Sequence, residues 1–200
     1  MHKTIRVMLF GAGIAAALAG SPVHAQTQRI AGSIEGVDGS TLIVKLRQGG
    51  DAKVSLTDNV AVFGVVNAAL ADIKPGSFIG VGATPQPDGG QKAIQVMIFS
   101  EVQRGTGEGH RPWDRPNTTM TNATVATAVA GVDGQVVMVK YKDGEKKIII
   151  TRETVIRAYV VGNRSELKPG ASIMITQAVK KADGNFETNR VNVGRDGIVP

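Results

Sequence analysis

The chain has 200 residues, 23 Lys and Arg against 17 Asp and Glu, three histidines and no cysteine. Disulfides and thiolate metal sites are therefore excluded, and an exported domain of this composition must rely on core packing. One tryptophan, two tyrosines and five phenylalanines leave an interior that has to be built mainly from aliphatic side chains.

Residues 1–25 read as an export signal. Lys3 and Arg6 give a basic start, residues 7–20 are uncharged and apolar, and Val23 and Ala25 offer small residues before a cut. The apolar run falls short of the roughly 20 residues a membrane span needs. No cysteine follows the cut and Arg6 stands alone, so neither a lipid-anchored form nor the twin-arginine route is expected. The mature chain is expected to begin at Gln26 and to work in the periplasm or as a secreted protein. His2 and His24 leave with the leader, so His110 is the one imidazole left, and no site needing two is possible. Lys3 and Arg6 leave too, which makes 21 bases against 17 acids, a net +4.

From there the pattern is all-β. Residues 29–37 and 41–47 alternate as strands around Gly36-Val37-Asp38-Gly39, a hairpin sequence whose glycine and aspartate tolerate positive φ. Gly49-Gly50-Asp51 marks the next turn, and strands follow at 53–57 and 60–66. Asn67 caps a helical turn over 68–73, which Lys74-Pro75-Gly76 ends. Strands at 77–84 and 91–99 finish this half.

The second half repeats the order. Strands at 125–132 and 135–142 flank Gly131-Val132-Asp133-Gly134, strands at 146–151 and 154–161 follow, then a helical turn at 163–167, Lys168-Pro169-Gly170, and strands at 172–179 and 186–193. Gly36 and Gly131, Lys45 and Lys140, Asp88 and Asp183, and Val96 and Val191 all lie 95 apart, while Pro75 and Pro169 lie 94 apart. A near-constant offset points to an internal duplication. The expected organisation is a first β-barrel module at 26–100, a joining segment at 101–122 and a second module at 123–200. Whether the modules close separately or share one sheet stays open.

A short helical turn after the third or fourth strand makes each half resemble an OB-like small barrel, in which a helix sits between the third and fourth strands. The Lys-Pro-Gly turns of residues 73–79 and 167–173, with Val-Asp-Gly hairpins before them and an Asp-Gly hairpin after, are similar to small β domains of unknown function in secreted bacterial proteins. The resemblance implies a fold and carries no catalytic residue.

The joining segment is rich in glycine, proline and polar residues, yet it holds the last histidine and the only tryptophan. Either Trp113 plugs a gap between the modules, with Arg111 and Asp114 paired in solvent, or His110, Arg111, Trp113 and Asp114 form a ligand-contacting loop. A metal site at His110 with Glu108 or Asp114 lacks a second imidazole, and no metal or cofactor is expected. A serine hydrolase would need His110 as base, and no Gly-x-Ser-x-Gly elbow is present. Acids such as Asp38, Asp72 and Asp133 sit in turn sequences, where Asp serves the backbone. The excess charge falls in residues 125–200, twelve bases against eight acids. Lys140, Lys142, Lys146, Lys147, Lys180 and Lys181 are the expected anion-facing patch, with Lys140 and Lys142 on one strand face. Too few aromatics accompany them for a single-strand nucleic-acid groove, so no nucleic acid is expected. The sequence reading is a non-enzymatic binding or structural protein of the envelope meeting an envelope protein, acidic glycan or anionic lipid headgroup. The alternative is a small-ligand or metal-binding protein using the His110 segment.

Overall fold

The computed structural model describes residues 27–200, and the leader expected at 1–25 lies outside the described residues. Twelve strands follow one another: β1 (Thr27–Asp38), β2 (Thr41–Leu46), β3 (Asp51–Asn67), β4 (Phe78–Pro85), β5 (Gln91–Ile98), β6 (Gly109–Pro112), β7 (Thr119–Gly131), β8 (Gly134–Tyr141), β9 (Gly144–Thr151), β10 (Val155–Val161), β11 (Ser172–Lys180) and β12 (Phe186–Gly194). Three 3-10 turns, Leu70–Asp72, Glu101–Gln103 and Arg164–Glu166, are the helical content of the described residues. None of these is long and apolar enough to cross a membrane.

The pairings close two five-stranded barrels, and neither is built from one half of the chain. In the first, β1 pairs β2, β2 pairs β3, β3 pairs β12, β12 pairs β11, and β11 returns to β1. In the second, β7 pairs β8, β8 pairs β9, β9 pairs β5, β5 pairs β4, and β4 returns to β7. Each half thus keeps its first three strands and lends its last two to the other barrel. The expected ranges 26–100 and 123–200 are therefore not the units that close.

Strand β3 explains why. A break was expected at Asp58 and Asn59, but the strand runs unbroken for 17 residues, about 55 Å at the usual rise. It bulges where β12 shifts register between Thr188 and Arg190 and carries the chain out of the first barrel. Its far end pairs antiparallel with β10, Phe63 to Val161 through Asn67 to Arg157. β10 in turn pairs parallel with β5, so the barrels share a continuous sheet.

Two differences in register locate the uneven offset. The β2–β3 turn is one residue longer than the β8–β9 turn, which drops the offset from 95 to 94. A bulge in β11, where Ile30 faces Ile175 but Gln28 faces Ala178, restores it. The two Gly-Val-Asp-Gly sequences do not occupy equivalent places. In the second half the chain turns through Val132 and Asp133, with Gly131 facing Gly134. In the first, residues 36–38 are already strand, and Gly39 and Ser40 make the turn between Asp38 and Thr41. Gly39, at φ 57°, takes the positive angle that glycine tolerates.

Each barrel holds an aliphatic core. Ile30, Ile34, Leu42, Val44, Val54, Ile173, Ile175 and Val191 fill the first; Ile79, Val81, Val96, Val125, Val137, Val139, Ile148 and Ile150 fill the second. Burying each such side chain contributes about 1.5–3 kcal/mol. The short turns plug the other half's core: Leu167 enters the first and Ile73 the second. Both Lys-Pro-Gly turns reinforce the exchange. Gly76 N–H donates to Val125 O, and Gly170 N–H donates to Ile34 O, both at 2.8 Å.

Candidate functional site

The two barrels present equivalent mouths, and the joining segment treats them differently. Residues 119–122, expected in the linker, are the start of β7. There β7 pairs with β4 on one side and extends past the end of β8 on the other. Strand β6 fills that second edge, with His110 facing Thr121 and Arg111 facing Met120. The segment 101–122 is therefore a folded cap.

Its side chains are fixed individually. His110 Nδ1 lies 2.8 Å from Thr121 Oγ1, and its ring lies beside Tyr141 with centroids 6.5 Å apart. Burial, then the nearby charges of Lys146 and Arg111, push the His110 pKa below its ordinary value. Trp113 lies flat on Gly82, where a Cβ would come within 2.6 Å of the indole. A glycine inside a strand marks such close approach. Arg115 stacks over the indole at 5.6 Å. Arg111 donates to Gly107 O at 2.9 Å, and Asp114 pairs with Arg29, so the expected Arg111–Asp114 pair does not form. Glu108 accepts from Lys142 N at 3.1 Å. Arg104 holds the start of the segment, donating to Glu101 at 2.7 Å and to Gly76 O at 2.8 Å.

Within the cap, Glu108 is engaged by Lys142 N, Asp114 by Arg29 and His110 Nδ1 by Thr121, while Arg111 and Asp114 stay exposed. Among the described residues no group of three or more His, Asp or Glu gathers as a metal site. The acids considered for catalysis are dispersed: Asp72 accepts from Ala69 N at 2.8 Å, and Asp133 sits 3.4 Å from Arg152.

Among the described residues, no strand caps the same place in the first barrel. Ile30 stands where Thr121 stands in the second barrel; their partners Ile175 and Val81 are 94 apart. By the same ladders Leu46 answers to Tyr141, Ala52 to Lys146 and Phe186 to Gln91. A polar, capped mouth thus corresponds to an apolar, uncapped one. The open mouth is a cavity of about 290 Å³, with Arg29, Arg47 and Gln48 among its lining residues. Past Gly32, where β2 ends its pairing with β1, Arg47 N donates to Ala31 O at 2.9 Å. No strand among the described residues pairs with Thr27–Ile30 on that side.

The six lysines of the expected patch divide. Lys140 and Lys142 are exposed, but only Lys140 lies in β8, next to the buried Val139; Lys142 sits in the turn that follows, outside the strand alternation. Lys146 faces Val139 at the capped mouth beside His110. Lys147 points the other way and pairs with Asp88 at 2.8 Å. Lys180 ends β11 in the first barrel and Lys181 follows it, pairing with Glu187 at 3.0 Å. Strand exchange places Lys180 and Lys181 on the other barrel from the lysines of residues 140–147. The aromatics gather at the joint between barrels: Phe63, Tyr159, Phe99 and Phe78 meet edge to face at centroid distances of 6.4, 5.4 and 5.3 Å. Phe63 and Phe78 are 5% and 2% exposed, too deep to serve as stacking platforms.

No protein family, curated protein or solved structure matches the chain.

Proposed function

We propose that this chain is an exported, non-enzymatic binding protein of the cell envelope, made from two copies of an OB-like module, and that the open mouth of the first barrel is its contact site. The leader sequence supports export. The matching strand order of the two barrels and the near-constant offset over most of the strands support duplication. The partner is a protein presenting acidic groups, since Arg29 and Arg47 flank an apolar cavity there. Lys140 and Lys142 form a smaller basic face on the second barrel and take the supporting role.

One observation carries this reading: among the described residues, equivalent mouths are capped in one barrel and open in the other. The open mouth offers a small apolar pocket at the edge of the core, with Ile30 at its base and Leu46 and Phe186 half-buried beside it. Photo-crosslinking in cells tests it. A crosslinking side chain at Gln48 is expected to give discrete protein adducts, and one at Ser165 none. Adducts at Ser165 with none at Gln48 would overturn the assignment of the mouth.

A further inference from the structure

We infer that the open mouth takes an extended peptide as an added β-strand, antiparallel to β1, with an apolar residue facing Ile30 and an acidic residue next to it facing Arg29. This deepens the reading of the mouth as the contact site and rests on it.

The chain supplies its own template. In the second barrel β6 adds to β7 beyond the end of β8, and its His110 faces Thr121 while the next residue, Arg111, faces Met120. Transferred through the ladders, the first position faces Ile30 and the second faces Arg29. The backbone edge is ready for it. Ala31 O points to that side, since it accepts from Arg47 N. Backbone groups two residues apart along a strand point the same way, so Arg29 N–H and C=O do so too. Added strands take affinity from such main-chain bonds and specificity from alternate side chains.

The residues of the mouth define the occupant's chemistry. His110 is met by Thr121, Tyr141 and the charge of Lys146. Their counterparts Ile30, Leu46 and Ala52 are all apolar, so the inward residue must be apolar. The next residue faces a guanidinium, and opposite charges across a ladder are favourable. An acid already finds this guanidinium from the cap, since Asp114 pairs with Arg29. The cavity of about 290 Å³ lies near the small end of ligand sites, which start at roughly 300 Å³. It fits one such side chain and its neighbours better than a whole cofactor.

The probe is the blocked hexapeptide Thr-Thr-Leu-Glu-Thr-Thr, titrated into the protein and followed by amide shifts and calorimetry. Shifts centred on residues 28–31 are expected. Methylating the peptide's Glu nitrogen should abolish binding, because that residue exchanges backbone bonds with Arg29. Ala52→Lys, which installs the residue the second barrel carries there, should weaken binding at least tenfold. Asp114→Asn should tighten it severalfold by freeing Arg29. The methylated peptide leaves the protein untouched, so it decides the matter even if Ala52→Lys fails to fold. Equal binding by the methylated peptide, or shifts lying outside the mouth, would overturn strand addition. So would no binding at all; adducts from Gln48 would then still stand for a partner of another shape. Binding by a chain starting at Gln26 but not by the full chain would assign the edge to residues 1–25 and overturn a separate partner.

Discussion

Val65 faces Tyr159 across the antiparallel β3–β10 ladder, and the two lie 94 residues apart, the same offset as Pro75 and Pro169. A residue that pairs with its own counterpart marks a twofold axis. The flanking pairs obey it: Phe63 faces Val161 and Asn67 faces Arg157, each a mirror of the other under that offset. The parallel ladders obey it as well, with Val62 beside Val191 and Ile156 beside Val96. The single chain has the symmetry of an isologous dimer that has exchanged elements.

Exchange predicts how a cut chain behaves. A protease site inserted between Gly105 and Thr106 lets the chain be nicked in the cap, after β5 and before β6. Because each barrel draws strands from both sides of the cut, the fragments are expected to co-elute at the intact size in native buffer. They should part only in denaturant. Separation on a sizing column without denaturant would mean that each half closes on itself.

Gly82 and Trp113 predict the behaviour of the cap. Gly82→Ala puts a Cβ 2.6 Å from the indole, so the ring must lift. Overpacking of this kind costs about 1–3 kcal/mol. Trp113 is the only tryptophan, which makes its fluorescence a clean report. A red shift of emission with lower thermal stability is expected. Unchanged emission would place the indole elsewhere.

Much of this fold is written in alternation. Leu42, Val44, Val137 and Val139 are buried where period two puts them, and the Lys-Pro-Gly turns fall where proline and glycine require. Strand partners were not legible. Asp58-Asn59 looks like a break, yet β3 passes through it as a bulge, and that local difference decides which barrel receives β4 and β5. The site was half legible. Trp113 in a Gly-Pro segment signals docking, and the glycines of Gly80-Val81-Gly82 signal a close approach, but nothing local joins one to the other. The open mouth emerges only once Ala52 can be set beside Lys146, a comparison that needs the ladders.

Glu166 and Arg195 predict an acid dependence. Arg195 Nε and Nη2 both donate to the carboxylate at 2.9 Å, and the guanidinium packs over Gly64, tying the chain beyond β12 to the plug of the first barrel. The Arg195 hydrogen bonds hold the Glu166 pKa below its ordinary 4.5. A depressed carboxylate contributes stability that is complete above 4.5 and is lost as pH falls through its folded value. Glu166→Gln should cost about 1–2 kcal/mol at neutral pH, discounted because Arg195 is partly exposed. The gap between wild type and variant should shrink as the solution is acidified below 4.5. A gap that does not change with pH would mean the pair contributes through packing alone.

His110 predicts a second, milder pH response, confined to the cap. Its pKa is pushed below 6.5, by burial first and then by Lys146 and Arg111. Tyr141 and Thr121 also face it; the nearest acid in sequence, Glu108, is held by Lys142 N. The folded state therefore favours the neutral ring. The cap's stability is complete above 6.5 and declines as pH falls below it, because the unfolded state binds the proton first. Trp113 emission should shift to the red over this range while the barrel cores keep their circular dichroism. His110→Phe keeps a ring beside Tyr141 and removes the proton site, so its emission should not vary with pH there. A variant that loosens on the same curve as wild type would assign the response to another group and leave His110 a packing residue.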